Sequence, residues 1–358
     1  MERGGDIRSA AVPLAAAVAA GEALTGRLSP RLALIFASLS LMAAALLLYA
    51  SIRRSSHLRW MMVFAFLGLF CSLSHSLFPP SVQNATGLAY RAFEAFKTLI
   101  NSIPFHRAGT GALAKALLTG DRSSLDRATI LAFRGSGASH ILALSGLHLG
   151  IIYTLVSRVL SLAGNSPAMR RIRSAIVIAL SLFYTMMTGA GPSIVRAFIY
   201  ICLSELCALD PSRRKDPVRI LAASLTLQLC LNPSIISSLG FQLSYLAMTG
   251  VSTIYPRLRA WWREAEGYPI MHKIWNGAAL SIACQAFTAP LVWIRFRTFP
   301  SFFLITNIIV LPLSSVFISV SLFTAALSAL GICPQALILL SDALAGAMCF
   351  LMETISSM

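Results

Sequence analysis

Four residues whose types could do chemistry stand in the apolar stretch from Gly137 to Ile151, GASHILALSGLHLGI: His140, Ser145, Gly146 and His148. Polar groups are costly to hold among hydrocarbon, so a serine and two histidines at that depth invite a functional reading. Read as one helix, the stretch puts Ser145 and His148 on a common face, with His140 two turns before His148 and about 80° round the axis. Gly146 removes a side chain from that face, so another backbone or a substrate can come close. A serine followed one turn later by a histidine is also the start of a nucleophile and base pair. Its usual surroundings are missing, since neither GxSxG nor HExxH occurs. An intramembrane Ser/His hydrolase is therefore the lesser reading, and no catalytic residue is expected. The plain structural reading is a buried helix whose polar groups bond to its neighbours.

The elements that would hold this stretch are membrane spans. Hydrophobic residues make up 57% of the 358 and charged ones 12%, against about 25% charged in soluble domains. Mean hydropathy is +0.75. Soluble enzyme and binding-domain classes are excluded by this balance, and an all-α polytopic membrane protein is expected. Apolar runs of spanning length cover residues 32–52, 60–78, 141–163, 174–188, 193–209, 218–239, 241–255, 275–294, 301–330 and 335–352, with a marginal one at 10–24. The count is about 10 to 11 transmembrane helices, some broken or re-entrant. The run 301–330 contains Pro312 and is long enough to be two helical pieces. The seven cysteines lie in apolar segments without CxxC or Cys/His spacing, and read as packing residues rather than disulfides or metal ligands. No metal or cofactor is expected.

Lysine and arginine number 29 against 13 acidic residues, a net charge of +16. Much of this excess sits in four loops, Arg53 to Arg59, Arg170 to Arg173, Arg213 to Arg219 and Arg257 to Lys273, with two candidate spans between each and the next. All four can face the cytoplasm together, which puts Pro79 to His140 outside. That outer stretch carries an amphipathic helix from Leu88 to Ile103, with Phe93, Phe96, Leu99 and Ile100 on one face and Pro104 as its stop. It either lies in the membrane interface or packs on the bundle. In GDRSSLD, Ser123 and Asp126 form a capping signal for a short helix to Phe133. Lys115, Arg122, Arg127 and Arg134 fall outside the orienting loops, and Arg196 lies inside a span. A guanidinium there must face protein, water or a phosphate. Cations converging on a membrane passage suit a strand with one negative charge per nucleotide.

The stretch around Ser145 resembles the SHLLAISGLHVG-type signature of the ComEC family, the inner-membrane channel proteins of bacterial DNA uptake. Further motifs follow in the family order: GDR at Gly120, GAGPSIVRAFIY from Gly189, Asp216-Pro217, Asn232-Pro233, GFQLS from Gly240 to Ser244, then Gln285, Pro290, Asn307 and Pro312. The resemblance implies a channel for single-stranded DNA in the bacterial inner membrane. For such a channel the polar residues found above are expected to act in order: Lys115, Arg122, Arg127 and Arg134 attract the strand from outside, His140, Ser145, Gly146 and His148 form one wall of the passage, and Arg196 and Gln242 line it deeper in. Implied partners are the bilayer, a DNA receptor outside, a motor helicase inside and, as a possible arrangement, a second copy of the chain. Full-length relatives also carry an outer OB-type domain and a metallo-β-lactamase-like domain. Neither strand-like alternation in 79–140 nor an HxHxDH-like cluster is found, so a separate nuclease is expected. The implied organisation is N-terminal spans in 1–78, an extracytoplasmic linker in 79–140, the channel domain in 141–330 and a last span in 331–358. A family scaffold that has lost transport is the alternative to the channel.

Overall fold

A computed structural model describes residues 6–25, 29–53, 57–77, 87–107, 109–162, 164, 166–209, 216–262, 269–297, 302–332 and 334–357. Cys333, the start of the outer stretch at 79–86, and Arg54, Arg213, Arg214, Lys215 and Arg263 of the basic loops lie outside these residues. Helices dominate and no strand occurs among the described residues, as the composition requires. The first are α1 (Asp6–Thr25), α2 (Pro30–Arg53), α3 (His57–Leu77), α4 (Leu88–Ser102), α5 (Thr110–Thr119) and α6 (Arg127–Gly135). Then come α7 (Ser139–Leu142), α8 (Gly146–Ser161), α9 (Pro167–Met187), α10 (Pro192–Leu209) and α11 (Pro217–Leu231). After a 3₁₀ turn at Pro233–Ser237 follow α12 (Leu239–Thr253), α13 (Tyr255–Trp261), α14 (Pro269–Phe296), α15 (Phe303–Ala329) and α16 (Gln335–Ser356). By length and composition Pro192–Leu209, Ile270–Phe296, Phe303–Ala329 and Gln335–Ser356 can each cross a membrane. The chain is an all-α polytopic membrane protein.

Compactness groups the chain differently from its linear segments. One unit takes Met1–Gln83 with Ile199–Tyr245, and the other takes Asn84–Phe198 with Leu246–Met358. In the first unit small residues let helices approach closely. A Cβ on Gly68 of α3 would meet the Leu14 carbonyl oxygen at 2.7 Å, and one on Gly21 would meet Ser72 at 2.7 Å. Leu14 and Val18 of α1 are fully enclosed, which gives the marginal first segment a defined packing face. Buried polar groups are paired there: Tyr245 Oη donates to Gln228 Oε1 at 3.0 Å, and Ser72 Oγ donates to Glu22 at 3.2 Å.

The second unit is built on a core of Ile100, Leu117, Phe133, Ile141, Phe317 and Met348, drawn from α4, α5, α6, α7, α15 and α16. The apolar face of α4 supplies Ile100 and the half-buried Phe96 to that core, so this helix packs on its own unit. Asp126 caps α6 by accepting the Thr129 N–H at 3.2 Å, so the expected short helix forms but starts at Asp126 rather than at Ser123. Tyr184 of α9 donates its hydroxyl to the Leu118 carbonyl at 2.8 Å and ties α9 to the end of α5.

Three expected helices come out differently. The run 218–239 ends at Asn232, where Pro233 cannot continue an α-helix and a 3₁₀ turn intervenes. The run 301–330 is a single helix, α15, through Pro312. Proline removes one backbone donor there, and Ser314 and Ser315 hydroxyls bond the Leu311 carbonyl in the adjoining turn. The third difference lies at the candidate site.

Candidate functional site

The stretch 137–151 is not one helix. It divides into α7 and α8 across Ala143 to Ser145, where the backbone is extended at Ala143 and again at Ser145. His140 therefore belongs to a different element from His148, and its Nδ1 bonds the Gly137 carbonyl at 3.2 Å. The cause of the break is a reciprocal cap. The Ser145 side chain accepts the Leu147 N–H at 3.2 Å, and the His148 side chain reaches back so that Nδ1 accepts the Ser145 N–H at 3.2 Å. Serine at the N-cap and a long acceptor three residues on is a capping box, with histidine in the place usually held by Glu or Gln.

This cap decides what the Ser145–His148 pair can do. Nδ1 spends its lone pair on a backbone N–H, so the ring proton sits on Nε2. Ser145 Oγ lies 3.2 Å from the same nitrogen but also receives backbone donors. The pair is organised to start a helix, and the geometry gives no activated nucleophile. His148 is 1% exposed, and its Nε2 is buried without a hydrogen-bond partner.

The break is braced by the GDR turn. Gly120 has φ +79°, and a Cβ there would lie 2.5 Å from a Leu144 methyl, so only glycine suits both the turn and the contact. Arg122 Nε donates to the Leu142 carbonyl at 3.0 Å, supplying a partner to the end of α7. Two motifs twenty residues apart thus shape one corner, a link that periodicity does not reveal.

Opposite the cap, Gly146 opens α8 towards α10. A Cβ on Gly146 would lie 2.9 Å from an Arg196 guanidinium nitrogen and 3.3 Å from the Ala197 Cβ. Arg196 is only 8% exposed. Its positive charge is thus packed against the positive end of the α8 dipole, an arrangement that favours an anion in the vicinity. The turn before α10 is tight: Gly189 and Ala190 both have left-handed φ, at 81° and 50°, and Pro192 starts the helix. That is the physical content of GAGPSIVR.

The other residues singled out in the sequence are dispersed. Lys115 is buried, bonds Ser124 Oγ and lies 3.7 Å from Asp121. Lys97 also pairs with Asp121, at 3.5 Å. The Asp121 carboxyl is held down to about 2, chiefly by the side-chain and backbone hydrogen bonds of Ser123 and further by Lys115 and Lys97. Lys115 is thus engaged within the stretch 79–140, and Asp121, six residues on, was the signal available in the sequence. Arg127 and Arg134 are exposed two turns apart on α6. Gln242 belongs to the other unit, where its amide donates to the Ile236 carbonyl at 2.8 Å and caps the 3₁₀ turn. The six described cysteines carry no disulfide. Among the described residues no group of three His, Cys, Asp or Glu side chains could hold a metal.

Comparison with known proteins agrees with these motifs. The model of the family described as "Competence protein" matches residues 117–358, from α5 through α16, and so extends beyond the motifs on both sides. ComE operon protein 3 of Bacillus subtilis (strain 168) is 31% identical over 134 residues, which is 37% of this chain and 17% of that protein. The chain thus spans a minor part of this relative's length. No solved structure matches. With two-thirds of its length under one family model, and with the Gly120, Ser145 and Arg196 motifs joined at one corner, this chain belongs to the ComEC family of competence proteins.

Proposed function

We propose that this protein forms a passage for single-stranded DNA through the bacterial inner membrane during natural transformation. The observation that carries this reading is the buried Arg196 guanidinium set against Gly146 at the positive end of α8. A guanidinium beside the first turn of α8 offers a planar fork of donors that suits a phosphodiester, in addition to the interactions Arg196 makes within the chain. Family membership supports a role in competence-related DNA uptake. In this reading Arg127 and Arg134 attract the strand from outside, and the cap at Ser145 and His148 fixes the corner it passes. A receptor delivers DNA, a cytoplasmic motor draws it in, and a separate nuclease removes the other strand.

The test is uptake of fluorescent DNA into cells in which this chain is the sole family member. Arg196→Ala should reduce uptake at least tenfold at unchanged membrane abundance, with Arg196→Lys intermediate because it keeps charge but not the planar fork. Full uptake by a stably inserted Arg196→Ala variant would remove the residue, and with it the reading, from the pathway.

A further inference from the structure

The second unit presents a basic and aromatic surface that the DNA pathway does not use. Trp275, near the start of α14, donates Nε1 to the Leu258 carbonyl of α13 at 3.0 Å. The Trp262 and Trp275 rings meet with centroids 6.0 Å apart. These contacts fix α13 against α14 and leave Trp261 77% exposed. Arg257 and Arg259 of α13 and Lys273 of α14 are exposed beside it. So are Ile270, Met271 and Ile274, which share one face of α14's first turns. That face runs directly into the span Ile270–Phe296, in whose most apolar stretch only 17% is buried.

We propose that α13 and the first turns of α14 form a binding surface for anionic phospholipid at one boundary of the membrane. Trp261 sits at headgroup level, where an amphipathic ring is most stable, and Ile270, Met271 and Ile274 enter the acyl region. Arg257, Arg259 and Lys273 then meet the phosphates and select anionic over zwitterionic headgroups. Lipid is favoured over a nucleic-acid strand as the occupant because the cations flank aliphatic side chains continuous with a span. A strand would ask instead for ring faces to stack on, and two of the three tryptophans here are already engaged with each other or with α13.

The experiment places the full chain in nanodiscs containing equal amounts of phosphatidylcholine and phosphatidylglycerol, with bromine atoms on the acyl chains of one lipid or the other. Brominated phosphatidylglycerol should quench tryptophan emission about five times more effectively than brominated phosphatidylcholine. Trp261→Phe should remove most of that difference, and Arg257→Gln with Arg259→Gln and Lys273→Gln should abolish it while quenching by both lipids persists. Equal quenching by the two lipids in the wild type would overturn the proposal. So would quenching of Trp261 by an added oligonucleotide in phosphatidylcholine discs, which would assign the surface to a strand. A Trp261 shielded from both lipids would overturn it too, by showing a second copy over the surface.

Discussion

His148 uses its two ring nitrogens differently. Its Nδ1 completes the cap on α8, while its Nε2–H is enclosed without a partner. The two uses separate by substitution. His148→Ala should cost about 1 kcal/mol, the worth of a lost cap, read as a lower melting temperature in detergent. Glutamine is a usual capping-box residue, so His148→Gln should keep the stability yet lower DNA uptake, because its amide donor does not reach the position of the imidazole Nε2–H. Full uptake by His148→Gln would assign the histidine to the cap alone. Gly146→Ala probes the other side of the same corner. Its Cβ would press on the far end of the flexible Arg196 side chain, so the protein should fold, with Arg196 displaced and uptake reduced. The residues at this corner were legible in the sequence because polar groups stand out in an apolar chain. Their arrangement was not, because periodicity treats 137–151 as continuous and cannot see that a serine and a histidine three apart will start a helix.

At the scale of elements, the turn between α5 and α6 and the helix crossings make separate predictions. Asp121 gathers Lys97, Lys115 and Ser123 where α5 gives way to α6. Its folded pKa, about 2, lies below the ordinary aspartate value of 3.8. The charged form is therefore favoured by folding, so the stabilisation is fully present above pH of about 4 and fades as pH falls towards 2. Melting temperatures taken at pH 6 and at pH 3 should converge for Asp121→Asn relative to wild type, and an undiminished gap would contradict the ion cluster. Gly250 of α12 tests a helix crossing, because a Cβ there would lie 2.1 Å from the Ala283 carbonyl oxygen of α14. Backbone cannot swing aside as a side chain can, so Gly250→Ala should destabilise by about 1–3 kcal/mol, measured by thermal unfolding in detergent. Helix identity was readable from apolar run length almost everywhere. Breaks were not: the run 218–239 reads as continuous through Asn232-Pro233, although Pro233 is where the α-helix cannot go on. Pro312 misled because a membrane helix can carry a proline at the loss of a single backbone bond, here the one to the Ile308 carbonyl, and α15 continues through it.

At the scale of the whole molecule, the first unit joins the early helices to residues 199–245, a grouping that no composition shift marks. Within that unit α1 and α3 approach closely at small-residue contacts like Gly68 on Leu14, which carry no sequence period. Four basic loops spaced by pairs of spans remain an orientation argument that the family relationship does not replace. The central claim is narrower: a DNA strand passes the start of α8 beside Arg196. Its most direct test is a photo-crosslinking amino acid placed at Leu147, which is exposed beside the cap, or at Phe350, which is exposed on α16 away from it. Cells carrying either variant would take up labelled DNA under illumination. The account predicts DNA crosslinked to the chain at position 147 and none at position 350. Uptake at normal levels with no crosslink at 147 would contradict it.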